Sequence, residues 1–427
     1  MKLFLPCLFL TIGVEVVVAQ KDCRHLEYQQ QLMAADPGLA AEYDKIESFT
    51  RAQQVVKTPM GTQGGSADGA GTVPPIITIP VVVHVLYNNG AQNISDAQVQ
   101  SQIDALNGDY RALNADRDKV PYYFAGLVAD AGIQFALAKI DPKGRATCGI
   151  VHRWTSTSSF SYDDRAKSAA LGGDDAWDAD SYLNIWVCNT ANGLLGYSSL
   201  PGGAKDKDGV VISGSAFGTI NISGVFNRGR TAVHEIGHWL NLRHIWGDSN
   251  CGDDGVDDTP QQQTSTRGCP GGERLSCGST AHGDMYMNYM DFTDDACMYM
   301  FTPGQRQRMR ALFVQGGPRC PLLSSAALTG TPVAGEPDAV PVNGPAGFSV
   351  TLYPNPASSS IYIRTDESVD CSGKTISIYN CMGQLQYTGV LQSGQQLIDI
   401  SHLESGLHFI KINGLAGKAM TKFLIVR

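Results

Sequence analysis

The order of apolar and polar positions predicts a mixed α/β domain in the first three quarters of the chain. Residues 76–87 form an apolar, β-branched run that predicts a buried strand, and residues 95–111 predict a helix that opens at a serine N-cap. Residues 132–140, 182–188 and 209–212 predict further strands. A strand, a helix and then more strands favour a twisted mixed sheet with a helix packed on it.

A glycine-punctuated stretch, residues 192–203, predicts the edge strand of this sheet. Its backbone can pair with an extended peptide, so we expect Leu194, Gly196 and Tyr197 to line a substrate cleft. A closing helix is predicted over residues 302–314, where a threonine and a proline form a favourable start.

Changes in composition divide the chain into five segments. Residues 1–19 hold a lysine and an apolar run too short to span a bilayer, which predicts a secretory signal peptide. Residues 20–75, helix-prone and then glycine-rich, predict a pro-segment and a flexible linker. A catalytic domain is predicted over residues 76–323 and a proline-rich linker over residues 324–347. Residues 348–427 contain short alternating runs that predict a small all-β sandwich.

Charge and cysteine content narrow the class of protein. A formal net charge of −9, with no basic run, argues against a nucleic-acid or anionic-membrane partner. Export permits disulfides, and four of the eleven cysteines crowd into a loop-rich region: Cys251, Cys269, Cys277 and Cys297. Four cysteines allow three pairings, and composition leaves all of them open.

The stretch T-A-V-H-E-I-G-H-W-L-N-L-R-H carries the candidate chemistry. On a helix, His234 and His238 lie one turn apart on the same face, where two imidazoles can share an ion. Asn241 tolerates the left-handed turn that ends a helix, so His244 can return as a third nitrogen ligand. Three imidazoles suit zinc and leave a fourth position open, as in catalytic zinc sites.

Glu235 lies one step round the same helix and is the candidate general base. A carboxylate there can take a proton from the water that attacks a carbonyl, so the motif indicates hydrolysis of an acyl bond. H-E-x-x-H alone also occurs by chance on solvated helices, and the additional His244 favours the metal site. The competing function is a zinc-containing surface binding protein or adhesin, in which a base beside an open metal position would have no use.

Five aspartates crowd into residues 248–258 and repel one another unless a cation or solvent screens them. Oxygen ligands at loop spacing suit structural calcium, and a solvated acidic loop is the alternative. The expected calcium ligands are Asp248, Asp254, the Val256 carbonyl, Asp257 and the Thr259 hydroxyl. In the predicted pro-segment, Cys23 is either a fourth zinc ligand that keeps a precursor silent or an unpaired cysteine without a function.

The motif H-E-I-G-H-W-L-N-L-R-H, followed by the turn N-Y-M-D-F, resembles the metzincin clan of zinc endopeptidases and, within it, the pappalysin family. The resemblance implies a metzincin-like α/β catalytic domain with an irregular C-terminal subdomain. It implies zinc on His234, His238 and His244, with Glu235 as general base. It also implies that Met290 underlies the metal in the Met-turn without coordinating it.

Bacterial pappalysin-like enzymes are also similar to the chain in the acidic loop and in the cysteines around it. That similarity implies disulfides that join Cys251 with Cys277 and Cys269 with Cys297. It favours calcium, rather than solvent alone, on Asp254, Val256 and Thr259.

Two positions depart from the family pattern. Asn241 replaces the glycine of the extended motif, and Phe292 stands where many relatives have a tyrosine that can ligate zinc. The stretch after the Met-turn lines the first primed-side pocket in metzincins, so Phe292, Asp294 and Asp295 are candidate pocket residues. An acidic pocket predicts a preference for Arg or Lys just after the cut bond, and a calcium or solvent contact is the alternative.

The segment L-Y-P-N-P-A-S-S-S-I-Y-I and the terminal K-F-L-I-V-R resemble the C-terminal sorting domains of type IX secretion. The resemblance implies contact with an outer-membrane secretion machinery and a secreted or surface-associated protein. A fibronectin-like binding module is the alternative. Together these features predict a secreted zinc endopeptidase that is made as a precursor and acts as a monomer on proteins or peptides.

Overall fold

The computed structural model describes residues 23–55, 75–278, 282–331, 350–365, 371–381, 384–392, 395–413 and 419–426. The predicted signal peptide and most of both predicted linkers lie outside the described residues. None of the described helices combines the length and the apolar character needed to cross a membrane.

A six-stranded mixed sheet forms the upper part of the first domain. Its strands are β1 (Ile77–Tyr87), β2 (Ile133–Leu137), β3 (Ile150–Trp154), β4 (Leu183–Cys188), β5 (Gly196–Ser198) and β6 (Val210–Ser213). The order is β2-β1-β4-β6-β5, and β3 pairs with the second half of β1 beyond β2. All pairings are parallel except that of β5, which runs antiparallel to β6 and forms the edge. The α/β fold and the edge strand are as predicted, whereas β3 was not predicted because most of its side chains face solvent.

Five α-helices accompany the sheet among the described residues. They are α1 (His25–Ala35), α2 (Gly38–Val55), α3 (Asp96–Tyr110), α4 (Arg230–Trp239) and α5 (Pro303–Ala311). Helix α3 begins at the predicted cap, where Ser95 Oγ accepts a hydrogen bond from the Gln98 amide at 3.2 Å. Helices α3 and α4 share one apolar core with the sheet, in which Val81, Ile103 and Ile236 are buried. This packing fixes α4 below the edge strand.

The chain between α4 and α5 has little regular structure among its described residues, apart from a short 3-10 helix at Asp295–Cys297. Two disulfides hold it, Cys251–Cys277 and Cys269–Cys297, which is the pairing that the resemblance implies. The other cysteines outside the N-terminal segment form no disulfide among the described residues: Cys148, Cys188, Cys320, Cys371 and Cys381.

The C-terminal unit is all-β, as predicted. Its strands are β7 (Val350–Tyr353), β8 (Ser360–Thr365), β9 (Thr375–Asn380), β10 (Leu385–Val390), β11 (Gln395–Asp399), β12 (Gly406–Ile412) and β13 (Ala419–Ile425). They form a four-stranded sheet, β10-β9-β12-β13, and a three-stranded sheet, β11-β8-β7, both antiparallel. Ile361, Ile378 and Phe423 belong to the apolar core of this unit.

The first domain extends beyond the predicted boundary at residue 323. Ala327 is buried, and its carbonyl accepts the Lys139 amide at 2.8 Å, while the Ser325 hydroxyl donates to the Ser181 carbonyl at 2.8 Å. The small residues here resemble a linker in composition, yet their backbone pairs with the domain. The predicted start of the linker at residue 324 is therefore too early.

Candidate metal centre and active site

Helix α4 carries the motif through the centre of the domain, and every one of its residues is buried. The helix ends where Asn241 adopts the left-handed conformation, with φ of 67°, which confirms the predicted turn. The Leu242 amide then donates to the Gly237 carbonyl at 2.9 Å, and this bond closes the turn. The turn reverses the chain, so that His244 faces the helix it has just left.

The three histidines converge through their Nε2 atoms. His238 Nε2 lies 3.2 Å from His234 Nε2 and 3.1 Å from His244 Nε2. Each Nδ1 faces an acceptor instead: the Tyr289 carbonyl at 2.7 Å for His234, the Leu242 carbonyl at 2.9 Å for His238, and the Asp248 carboxylate for His244.

This donor set fits a zinc ion. Because each Nδ1 keeps its proton for an oxygen acceptor, each Nε2 presents a lone pair to the same point. Three lone pairs about 3 Å apart repel one another unless a cation lies between them, and imidazole nitrogen is a preferred zinc ligand. Burial lowers the pKa of His238 well below its usual value, and the neighbouring His25 and His244 lower it further, so its imidazole is neutral. The donor set of these three residues therefore fits the zinc ion that the motif predicts.

Glu235 is fully buried beside the histidines and lies against the edge strand β5. A Cβ atom at Gly196 would lie 2.8 Å from Glu235 Cγ and 3.0 Å from Oε1, closer than ordinary contact. Glycine at position 196 therefore lets the carboxylate approach the strand edge. Gly196, which the sequence predicts to line the substrate cleft, thus borders the candidate base.

Tyr197 faces the other way. Successive side chains of a strand point to opposite faces, so its ring packs in a buried cluster that also contains Leu194, above the sheet. Of the residues predicted to line the substrate cleft, Gly196 therefore faces the metal site, whereas the Leu194 and Tyr197 side chains lie on the other face of the sheet.

Met290 lies beneath helix α4, as the Met-turn resemblance implies. A Cβ atom at Gly237 would lie 2.5 Å from Met290 Sδ, which explains the glycine inside the helix. The ring of Phe292 lies 4.9 Å from that of His244 and 5.5 Å from that of His234. Phe292 therefore borders the metal site with an apolar ring and offers no hydroxyl.

The N-terminal segment reaches the same site. Cys23 pairs with Gly196 in a parallel bridge, and its Sγ lies within 4.8 Å of the ligand nitrogens of His234, His238 and His244. His25 stacks on His238 with ring centroids 3.9 Å apart and contacts Ser198 Oγ at 3.2 Å. Burial lowers the pKa of His25 to about 3, so the stacked ring is neutral. Nothing in the sequence signalled His25.

A buried charged network supports the ligands from behind. Tyr289, whose carbonyl holds His234, donates its hydroxyl to Asp109 at 2.7 Å. Arg230, the first residue of α4, lies 2.6 Å from Asp116 and 3.3 Å from Asp109. Burial raises the pKa of Asp109 to about 6 despite these partners. Through Asp109 the network ties the start of α4 to the Met-turn, and its Asp109–Tyr289 hydrogen bond joins residues 180 positions apart, which sequence spacing did not reveal.

The acidic loop divides into two parts. Asp254 Oδ1 lies 2.9 Å from Thr259 Oγ1, which donates to the Val256 carbonyl at 2.8 Å, so the structure brings these predicted ligands together. Burial raises the pKa of Asp254 to about 7. Asp248 was predicted to be a calcium ligand as well, but its carboxylate contacts His244 and does not join this group. Asp257 lies with Asp253 and Asp258 in a separate surface hollow.

Asp295 is buried at the start of α4. Its Oδ2 accepts the Arg228 amide at 2.8 Å and the Arg230 amide at 3.2 Å. Asp294 is partly exposed and lies at the N-terminal end of the same 3-10 helix. The carboxylate of Asp295 therefore lies beside the loop that leads into the metal-binding helix.

Two family models match the chain. The Peptidase M43 model, described as pregnancy-associated plasma protein-A, matches residues 169–314, and a secretion system C-terminal sorting domain matches residues 351–427. A curated extracellular metalloprotease of Pyricularia oryzae is 35% identical over 247 residues, which cover 56% of this chain and 76% of the relative. One from Arthroderma benhamiae is 32% identical over 240 residues, covering 55% of this chain and 76% of the relative.

Two solved structures from Tannerella forsythia are similar to the chain. Mature mirolysin in complex with a cleaved peptide is 49% identical, with a TM-score of 0.57. The match covers 58% of this chain and 96% of the mirolysin chain. A promirolysin mutant is 42% identical, with a TM-score of 0.63, and covers 71% of this chain and 97% of its own. The promirolysin structure matches more of this chain than mature mirolysin does, as expected if α1 and α2 form a pro-segment.

Proposed function

Because the chain belongs to the Peptidase M43 family and is a secreted or cell-surface metalloendopeptidase, we propose that His234, His238 and His244 hold its catalytic zinc and that Glu235 is its general base. The observation that carries the proposal is the convergence of the three Nε2 atoms next to a buried carboxylate. The substrates are peptide bonds of extracellular proteins. The replacement of Glu235, described in the Discussion, tests the assignment.

Each catalytic role follows from the position of a side chain. When bound, zinc polarises the scissile carbonyl and makes water more acidic. Glu235 takes a proton from the attacking water and returns it to the leaving amine. Once the N-terminal segment has left it, the edge of β5 pairs with the extended substrate and places the cut bond above Glu235, because Gly196 leaves no side chain between them.

The N-terminal segment keeps the precursor latent on this proposal. Cys23 occupies the side of the ligand cluster that faces β5, where the substrate would lie. Glu47 of α2 forms an ion pair with the buried Arg308, whose Nε donates to the Asn241 carbonyl at 2.6 Å. The segment is therefore attached both at the metal ligands and at the turn that positions His244. Its removal frees the edge of β5.

We further propose that the pocket next to Asp295 prefers Arg or Lys just after the cut bond, since a buried carboxylate favours a cation. Asp295→Asn keeps an acceptor for the two backbone amides and removes the charge. It is expected to lower kcat/KM for an Arg peptide about tenfold to a hundredfold and to leave a matched leucine peptide almost unchanged.

Asp294→Asn is the matched control, because it removes the same charge from the neighbouring, partly exposed residue. Both variants are compared on a peptide series that differs only in the residue after the cut bond. An unchanged Arg-to-leucine ratio in Asp295→Asn would end the pocket assignment.

A structural calcium ion is proposed on Asp254, the Val256 carbonyl and Thr259. Their oxygens already lie within hydrogen-bond distance of one another, and burial of Asp254 without a cation disfavours its charged form. Calcium at a hundred times its Kd is expected to stabilise the full chain by about 2.7 kcal/mol. In Asp254→Asn most of this gain is expected to disappear, while the exposed neighbour's variant, Asp253→Asn, keeps it.

Thermal unfolding with and without calcium measures the calcium-induced stabilisation of the wild type and of both variants. Equal calcium-induced shifts in Asp254→Asn and Asp253→Asn would contradict the assignment of the ion to Asp254.

The C-terminal unit is a secretion-system sorting domain. We propose that an outer-membrane secretion machinery is its partner, which agrees with the extracellular location of the related metalloproteases. Deletion of residues 350–427 is expected to abolish secretion, and the amount of secreted protein tests this proposal.

A further inference from the structure

The side chain of Tyr28 in helix α1 is seated in a pocket of the catalytic domain, here called the Tyr28 pocket. Only 1% of Tyr28 is exposed, and its ring lies 4.8 Å from that of Tyr197. Phe160 and Trp186 belong to the same buried cluster. The walls of the pocket are therefore largely aromatic.

Two charged side chains of the pocket contact the phenol hydroxyl. The hydroxyl donates to Asp164 Oδ1 at 2.8 Å and accepts from Lys167 Nζ at 2.9 Å. Lys167 and Asp164 are themselves paired at 3.0 Å, and the ammonium group lies 4.9 Å from the ring centroid of Tyr28 and 5.0 Å from that of Tyr197. The pocket thus matches both parts of a tyrosine, its ring and its hydroxyl.

The pocket belongs to the catalytic domain, whereas its occupant belongs to the pro-segment. When the pro-segment is removed, Asp164, Lys167 and Tyr197 remain and Tyr28 leaves. Burial lowers the pKa of Lys167, and the coulombic attraction of Asp164 opposes this shift. An arriving tyrosine would again supply a hydroxyl to the pair and a ring to its aromatic walls.

Strand β5 connects the Tyr28 pocket with the proposed Asp295 pocket. Before the strand begins, Leu195 packs with Phe226, next to the backbone that contacts Asp295. At the end of the strand, the Ser198 carbonyl accepts a hydrogen bond at 3.1 Å from Gln29, the residue after Tyr28. The two pockets therefore lie toward opposite ends of β5. With Asp295 on the primed side, the Tyr28 pocket lies on the unprimed side.

We propose that the Tyr28 pocket is a substrate subsite that binds a tyrosine on the N-terminal side of the cut bond. The proposal rests on the proposed function, because it needs a substrate extended along β5. It adds a second specificity pocket, which recognises the ring and the hydroxyl of a tyrosine, at the other end of the cleft.

The test uses the enzyme activated from the full chain by limited proteolysis. A peptide series keeps one Arg after the cut bond and places Tyr, Phe or Ala in turn at each of the four unprimed positions. At one position, Tyr is expected to raise kcat/KM about tenfold over Phe, because the pocket hydrogen-bonds the hydroxyl that Phe lacks. Equal rates for Tyr and Phe at all four positions would overturn the subsite and leave the proposed function intact. If no peptide were cleaved, the proposed function would fail as well.

The double variant Asp164→Asn with Lys167→Met removes both charges together, so that neither is left buried without its partner. Asn suits position 164, whose φ is 61°. In this variant the Tyr-to-Phe ratio is expected to fall close to one. Asp163→Asn, at the exposed neighbouring position, is the matched control and is expected to keep the ratio of the wild type. A wild-type ratio in the double variant would exclude the pair from tyrosine recognition.

Discussion

Glu235→Ala is expected to lower kcat/KM by about three orders of magnitude, while the variant keeps its metal and its fold. General acid and base catalysis contributes roughly 10²–10⁴ in rate, and Glu235 is the buried carboxylate that lies between the three histidines and the edge of β5. The side chain is not among the predicted ligands, so its removal leaves the three Nε2 atoms in place.

The measurement is hydrolysis of a fluorogenic Arg peptide by the activated enzyme. Glu235→Gln provides the matched control, because it keeps the shape of the side chain and removes only its basicity. Both variants are expected to be equally slow. Wild-type rates in either of them would reject Glu235 as the base.

Cys23→Ala is expected to make the uncleaved precursor active, with a rate at least about tenfold above that of the wild-type precursor. The physical reason is that Cys23 Sγ lies within 4.8 Å of all three ligand nitrogens, close enough to fill the position that water needs. The segment still binds through Glu47 and Tyr28 in this variant, so its activity is expected to stay below that of the processed enzyme.

The precursor is assayed with the Arg peptide before any processing, and its N-terminus is checked by mass spectrometry. Cys148→Ala is the control, since Cys148 is a partly buried cysteine outside the metal cluster. A silent Cys23→Ala precursor would mean that the helices α1 and α2 block the cleft without help from the thiol.

The parts of the site that could be predicted are those fixed by local geometry. His234 and His238 are four residues apart on one helix, and Asn241 ends that helix in the conformation that its side chain tolerates. Each relation spans less than two helical turns, so the sequence spacing determines it.

The parts that were missed depend on contacts between distant segments. Asp248 holds His244 instead of a calcium ion, and this choice depends on the path of a loop with few regular hydrogen bonds. His25 and Tyr28 are ordinary residues of a polar helix until α1 packs against the catalytic domain. The pairing of Arg230 with Asp109 joins two helices more than a hundred residues apart.

Two features of the strands could not be predicted for a related reason. The glycine-punctuated stretch indicated an edge strand, yet it did not indicate which face would lie toward the metal, and Tyr197 lies on the other face. Strand β3 is held by its pairing with β1 rather than by an apolar face of its own, so hydrophobicity gave no signal for it.

Zinc content is the most direct test of the central claim that three imidazoles bind one catalytic ion next to Glu235. Elemental analysis of the purified full chain, without chelators, is expected to give one zinc per chain both in the wild type and in Glu235→Ala, and almost none in a variant with His234, His238 and His244 replaced by alanine. Wild-type protein that binds no stoichiometric zinc, or that keeps its zinc after loss of the three histidines, would contradict the claim.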